Sequence, residues 1–211
     1  MTLLNRFYNT LNNFGMQDIE YPIFYSAKIG IRFDIGDSSE LEVYSKKHTI
    51  NPLYIEHCLN KTTQILGSLN PEPDILAILL YYVDENELEK DIKTVLSVAN
   101  LQPPHEINKK EIIEDDDVCN TALLLWDLST TNFSKENLLK EIIISDLGGE
   151  HLFTASVFWI CSDNKIMFHL YDDRGADLVA SEKSAIKDTY VKFNKWILDY
   201  DREKIEAVFE D

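Results

Sequence analysis

Apolar and polar residues alternate along this chain in two rhythms, and each change of rhythm marks an element. Leu3, Leu4, Phe7, Tyr8, Leu11 and Phe14 recur at helical spacing, with Gly15 where a C-terminal cap belongs, so a first helix is predicted. From Lys28 the period becomes two. Ile29, Ile31, Phe33 and Ile35 alternate with Lys28, Gly30, Arg32 and Asp34, which predicts a strand with one buried and one wet face. Residues 40–45 read as its antiparallel partner, joined through Gly36-Asp37-Ser38-Ser39. Asn51-Pro52 supplies a cap and a first-turn proline for a helix to about residue 68, whose inner stripe is Ile55, Leu59, Thr62, Leu66 and Leu69.

The near-continuous apolar run at 75–83 predicts a central strand covered on both sides, after which Asp84 caps a helix with Leu88, Ile92, Val95 and Ala99 facing in. Gln102-Pro103-Pro104 and Glu114-Asp115-Asp116-Asp117 frame a stretch of little periodicity. It reads as a mobile acidic loop over 102–118 holding one short strand at 111–113. A buried strand is expected at 122–128, then a Ser134-capped helix that Leu147-Gly148-Gly149 ends. Residues 152–161 and 165–171 read as a hairpin about Asp163-Asn164, with Cys161 opposite Ile166, Trp159 opposite Phe168 and Phe158 opposite His169. Both faces of that pair are apolar, so it belongs in the middle of the sheet. A short strand at 177–180, a Ser181-capped helix with Ile186, Tyr190, Phe193 and Ile197 inward, and a last helix at 201–209 complete the reading. Hairpins mixed with helical crossovers predict one α+β domain over 1–211, with a mixed, partly antiparallel sheet, a central hairpin and helices covering the sheet.

Charge narrows the function classes. With 20 basic and 37 acidic residues the net charge is -17, which repels phosphate backbones and anionic lipid, so neither nucleic acid nor a membrane is an expected partner. The imbalance sits late in the chain: residues 111–211 hold 22 acids against 10 bases. Such asymmetry suits a basic protein partner, while its bland alternative is solubility. The longest apolar run falls short of a bilayer span, and asparagines interrupt the first helix where a secretory signal would be apolar, so a cytoplasmic location is expected. Cys58, Cys119 and Cys161 form no Cys-x-x-Cys pair and read as reduced core thiols. No glycine-rich phosphate loop is present, and no cofactor is expected.

The densest reactive set is His169-Leu170-Tyr171-Asp172-Asp173-Arg174-Gly175-Ala176-Asp177, where a strand leaves the sheet. Three readings compete. Asp-Asp-Arg-Gly is good turn chemistry, with Arg174 free to pair with Asp177 or Asp199. His169, Tyr171, Asp172, Asp173, Arg174 and Asp177 could instead form a binding surface. Third, Asp172, Asp173 and Asp177 could ligate magnesium or manganese in a metal-dependent hydrolase, because hard cations take oxygen ligands. Trp196 is offset from its helix's inward stripe and is a candidate surface anchor. His151 follows Gly148-Gly149-Glu150 at a helix-to-strand corner, but no Gly-x-Ser-x-Gly elbow accompanies it.

Leu170-Tyr171-Asp172-Asp173-Arg174-Gly175 and Trp196-Ile197-Leu198-Asp199-Tyr200-Asp201-Arg202 resemble the core and tail motifs of a short uncharacterised domain family common in Firmicutes. Tyr25-Ser26-Ala27-Lys28-Ile29-Gly30-Ile31-Arg32-Phe33 is similar to the amino-terminal part of longer members. The resemblance implies a small cytosolic bacterial protein, of a size and acidity shared with toxin-immunity proteins, and no established activity. The leading expectation is therefore an immunity- or inhibitor-like interaction module, with the metal-dependent hydrolase as the alternative.

Overall fold

In a computed structural model, which describes residues 1–36, 41–114, 117–148 and 154–210, seven strands form one sheet. The strands are β1 (Ile29–Asp34), β2 (Ile75–Tyr82), β3 (Glu106–Glu114), β4 (Asp117–Asp127), β5 (Ser156–Cys161), β6 (Ile166–Leu170) and β7 (Gly175–Ala180), in the order β1-β7-β6-β5-β2-β4-β3. The fold is α+β. Every pairing in the sheet is antiparallel, more uniform than the mixed sheet expected. The β5–β6 hairpin lies near the middle with the expected register, Phe158 opposite His169 and Cys161 opposite Ile166.

The helices are α1 (Leu3–Phe14), α2 (Ile23–Ser26), α3 (Pro52–Leu66), α4 (Glu85–Ala99), α5 (Lys135–Ile144), α6 (Lys183–Lys192) and α7 (Arg202–Phe209). They load the two faces unequally. One face packs its Trp159, Phe168, Leu76 and Leu124 into a large core with residues of α3 to α7. The other packs Phe158, Met167, Ile75 and Leu125 against α1 through Leu3, Phe7, Leu11 and Phe14. At about 1.5–3 kcal/mol per buried side chain, those four anchors hold α1 firmly. Polar contacts fix its position: the Leu3 and Leu4 amides donate to Glu106 of β3 at 2.8 and 3.1 Å. The acceptor is a carboxylate set against the positive end of the helix.

Three expectations need correction. The segment read as a loop over 102–118 carries β3 and the start of β4, paired from Glu106–Leu125 to Glu114–Asp117. An edge strand of alternating charge hides the apolar rhythm by which strands are recognised; only Ile107, Ile112 and Ile113 carry it. The described part of the proposed partner of β1, residues 41–45, is not a strand. Residues 37–40 lie outside the described residues, Tyr44 makes only an isolated bridge to Ile50, and β1 pairs instead with β7. Ser181 does not cap α6, whose N-cap is Glu182 without a side-chain bond. The caps at Asn51, Asp84 and Ser134 do accept backbone amides, and Gly15 closes α1 in the left-handed region at φ 88°. His151 lies outside the described residues. Among the described residues no helix is long and apolar enough to cross a membrane.

Candidate functional site

One row of residues crosses the thin face from edge to edge: Glu106, Leu125, Ala77, Phe158, His169, Asp177 and Arg32 stand opposite one another on successive strands. Side chains in register on one face must touch, so each neighbour sets the next one's environment. His169 is buried and stacks on Phe158 with ring centroids 4.5 Å apart. Its Nδ1 has no hydrogen-bond partner. Burial pushes the imidazole down to about 3, and nearby Arg32 adds to this against Asp172, so the ring is neutral at physiological pH.

Asp177, fully buried, accepts from Arg32 Nε at 2.9 Å and from the Phe24 amide at 3.2 Å. Burial pushes its carboxyl up, and the guanidinium pulls it back. Arg32 in turn approaches Asp201 at 3.5 Å and lies against the rings of Tyr25, Phe24 and Tyr171 at 4.9, 5.6 and 5.7 Å. The face of β1 expected to be wet is thus covered, because α2 and the aromatic side chains around it close over Arg32. The Tyr25 hydroxyl donates to Asp201 at 2.8 Å.

The motif after β6 forms a turn. Asp172 Oδ1 accepts the Arg174 amide at 2.7 Å, and its Oδ2 takes the Arg174 guanidinium, whose far end reaches Asp146 at 3.1 Å. Arg174 therefore pairs with neither Asp177 nor Asp199. Asp173 points the other way, into the helical face, where the Tyr54 hydroxyl donates to it at 2.5 Å and also approaches the Gly36 carbonyl. Desolvation raises the Asp173 carboxyl above its ordinary value. The three aspartates weighed as metal ligands are consequently dispersed among three partners: Arg174, Tyr54 and Arg32. Among the described residues no group of three His, Cys, Asp or Glu side chains is placed to hold a metal ion. Trp196 lies apart from the others, half-buried and stacked on Phe193 at 4.9 Å, with Lys195 and Lys61 over its ring.

What the structure adds is a cleft of about 390 Å³ on the thin face, lined by Tyr21, Tyr81, Ala155, Ser156, His169 and Tyr171. His169 and Tyr171 come from the sequence candidates; Tyr21, Tyr81 and Ser156 do not. Tyr81 and Ser156 are on the same sheet face as His169 by strand alternation, a signal readable only once the β2–β5 register is known. Tyr21 comes from the segment between α1 and α2, and its ring centroid is 5.6 Å from that of His169. Tyr171 stands 5.8 Å from the imidazole on another side, and both phenols have pKa values pushed up by burial.

The fold and this site define an α+β protein on one antiparallel sheet, with a tyrosine-walled cleft and a motif whose charges are paired internally. The chain belongs to the family described as Domain of unknown function (DUF3885), whose model matches residues 7–201. It is similar to the uncharacterised protein YnaE of Bacillus subtilis (strain 168), at 32% identity covering 81% of this chain and 86% of that protein. No solved structure matches the chain.

Proposed function

We propose that the protein is an interaction module, immunity- or inhibitor-like, that docks a basic protein partner through its acidic surface. One observation carries this reading. Each of the four arginines is held between two of the chain's own carboxylates: Arg6 by Asp74 and Asp127, Arg32 by Asp177 and Asp201, Arg174 by Asp172 and Asp146, Arg202 by Asp199 and Glu206. Guanidinium is the side chain best suited to grip phosphate or carboxylate. With all four engaged internally, what the molecule offers outward is its surplus of acid.

That surplus includes the first turn of α4. The N-cap Asp84 and the first-turn Glu85 and Glu87 are exposed, as is Glu89 one turn on, where Lys93 reaches it at 3.5 Å, and Lys109 of β3 reaches Glu85 at 2.6 Å. Glu111, two residues along the same strand face, is exposed as well. A basic partner would be steered to such a surface, with an association rate that falls as salt rises. Affinity capture from a bacterial lysate tests this: a partner retained at low salt and released at high salt is expected. Exchange of Glu89 and Glu111 for lysine should weaken retention. Absence of any partner at both salt concentrations would sink the proposal.

A further inference from the structure

We propose that the tyrosine-walled cleft over His169 is the recognition pocket for a primary alkylammonium, the lysine side chain of the basic partner. The inference rests on the docking reading above and gives it a point of contact. Several features of the cleft agree on this chemistry.

Its walls are aromatic and mutually tilted. Tyr21 makes an angle of 54° with the imidazole and Tyr171 one of 57°, so neither ring lies parallel to it as the wall of a flat slot would. Aromatic rings attract a cation that comes to lie over their faces. The imidazole is neutral and the phenols of Tyr21 and Tyr171 keep their protons, so these three bring no formal charge to the lining. An anion would find no countercharge there, whereas a cation is drawn in by a protein of net charge -17.

The floor supplies what an ammonium needs and a plain apolar group does not. His169 lines the cleft with most of its ring buried, so the floor carries a polar side chain within an otherwise aromatic surface. A neutral imidazole has one lone pair, and Ser156 and the tyrosines of the lining carry hydroxyl oxygens that also accept, the kind of group that the three N–H donors of a primary ammonium require. Behind the floor Arg32 is paired with Asp177 at 2.9 Å, and at the imidazole the carboxylate of Asp172 outweighs the positive charge of Arg32.

The test uses the full chain and two capped amino acids as probes, N-acetyl-lysine methylamide and the uncharged norleucine analogue. Titration followed by NMR should shift the resonances of Tyr21, Ser156, His169 and Tyr171 with the lysine probe. The norleucine probe should bind about tenfold more weakly, the scale set by a cation over aromatic faces. Tyr21→Leu and Tyr81→Leu, both at partly exposed positions, should each weaken the lysine probe severalfold while thermal melting stays in place. Equal binding of the two probes, or no shift at these residues up to solubility, would overturn the pocket. Failure here is distinguishable from failure of the docking reading. If the lysine probe does not bind, yet a partner is captured and lost on charge reversal at Glu89 and Glu111, only the pocket falls. If the probe binds and no partner is captured at any salt, the docking reading falls and a free alkylammonium is the ligand.

Discussion

Arg32 and Arg174 each clamp an aspartate beside the same turn, yet the two pairs live in different media. The Arg32 side chain is 12% exposed and that of Asp177 not at all, with aromatic rings around the guanidinium. The Arg174 side chain is 73% exposed although that of Asp172 is only 6% exposed, so the cation of this pair stays in water, and the pair is closed within three residues of chain. Removing charges from water costs several kcal/mol per ion, which a buried pair recovers only while both members are present. A pair whose guanidinium stays in water avoids that cost at the cation, and its attraction is screened by solvent. The same two residue types are therefore a constraint on the fold in one place and a turn ornament in the other.

The sharpest way to break the comparison is to delete one member of the buried pair. Asp177→Ala leaves the guanidinium with Asp201 alone and the Phe24 amide without its acceptor, and should cost about 3–5 kcal/mol in urea unfolding. Replacing both, Arg32→Met with Asp177→Leu, should be milder than the single change, because the one charge left there is Asp201, which keeps its bond from the Tyr25 hydroxyl. A single variant as stable as wild type would show that the pair is not desolvated.

Next in size are the glycines that let the turn close. A Cβ at Gly36 would overlap the Tyr54 hydroxyl and the Asp173 carbonyl, so the backbone itself stands in the way. At Gly175 it would overlap the Tyr171 hydroxyl and come within 2.9 Å of the Phe33 carbonyl. Gly36→Ala should cost about 1–3 kcal/mol of stability, and Gly175→Ala should also displace Tyr171, visible as altered tyrosine resonances at the cleft.

The contrast between the two arginines also explains what the sequence could and could not reveal. Asp172 and Arg174 lie two residues apart in a run of turn formers, so local chemistry alone suggests a turn, although it names the wrong partners for Arg174. Arg32 and Asp177 are brought together by pairing between β1 and β7, across a sequence separation that periodicity does not see. The alternation over 28–35 located β1 and its apolar face correctly, then assigned Arg32 to solvent because nothing local announces that α2 will cover it. The β5–β6 register was legible because its turn and both strands are contiguous. β3 was not, since an edge strand with lysines and glutamates on it looks like a loop. Tyr21, Tyr81 and Ser156 join His169 only through the register between strands and a connecting segment, so the cleft was visible in two of its walls at most.

A smaller effect separates Asp173 from the exposed pair by pH. Its carboxyl is raised by desolvation against the bond from Tyr54, so the folded protein holds this proton more tightly than the unfolded chain. The stability that follows is fully present below the ordinary aspartate value of about 3.9 and is lost as pH rises through the raised folded value. Asp173→Asn keeps an oxygen for the Tyr54 hydroxyl and cannot ionise. Wild-type stability relative to that variant should therefore fall across this window and level off above it. A relative stability that rises with pH over the same range would contradict a desolvated Asp173.

The smallest effect belongs to the exposed pair. Arg174→Ala removes the guanidinium from Asp172 and Asp146 but leaves the backbone amide that Asp172 Oδ1 holds at 2.7 Å, so the turn retains its bond. With the arginine side chain 73% in water, the loss should be at most about 1 kcal/mol and should shrink as salt is added. The same truncation at Arg32 should be nearly insensitive to salt, because its partners lie where counterions do not reach. A large, salt-independent loss at Arg174 would mean that its pair with Asp172 is shielded from water as the Arg32 pair is, and the distinction between the two sites would collapse.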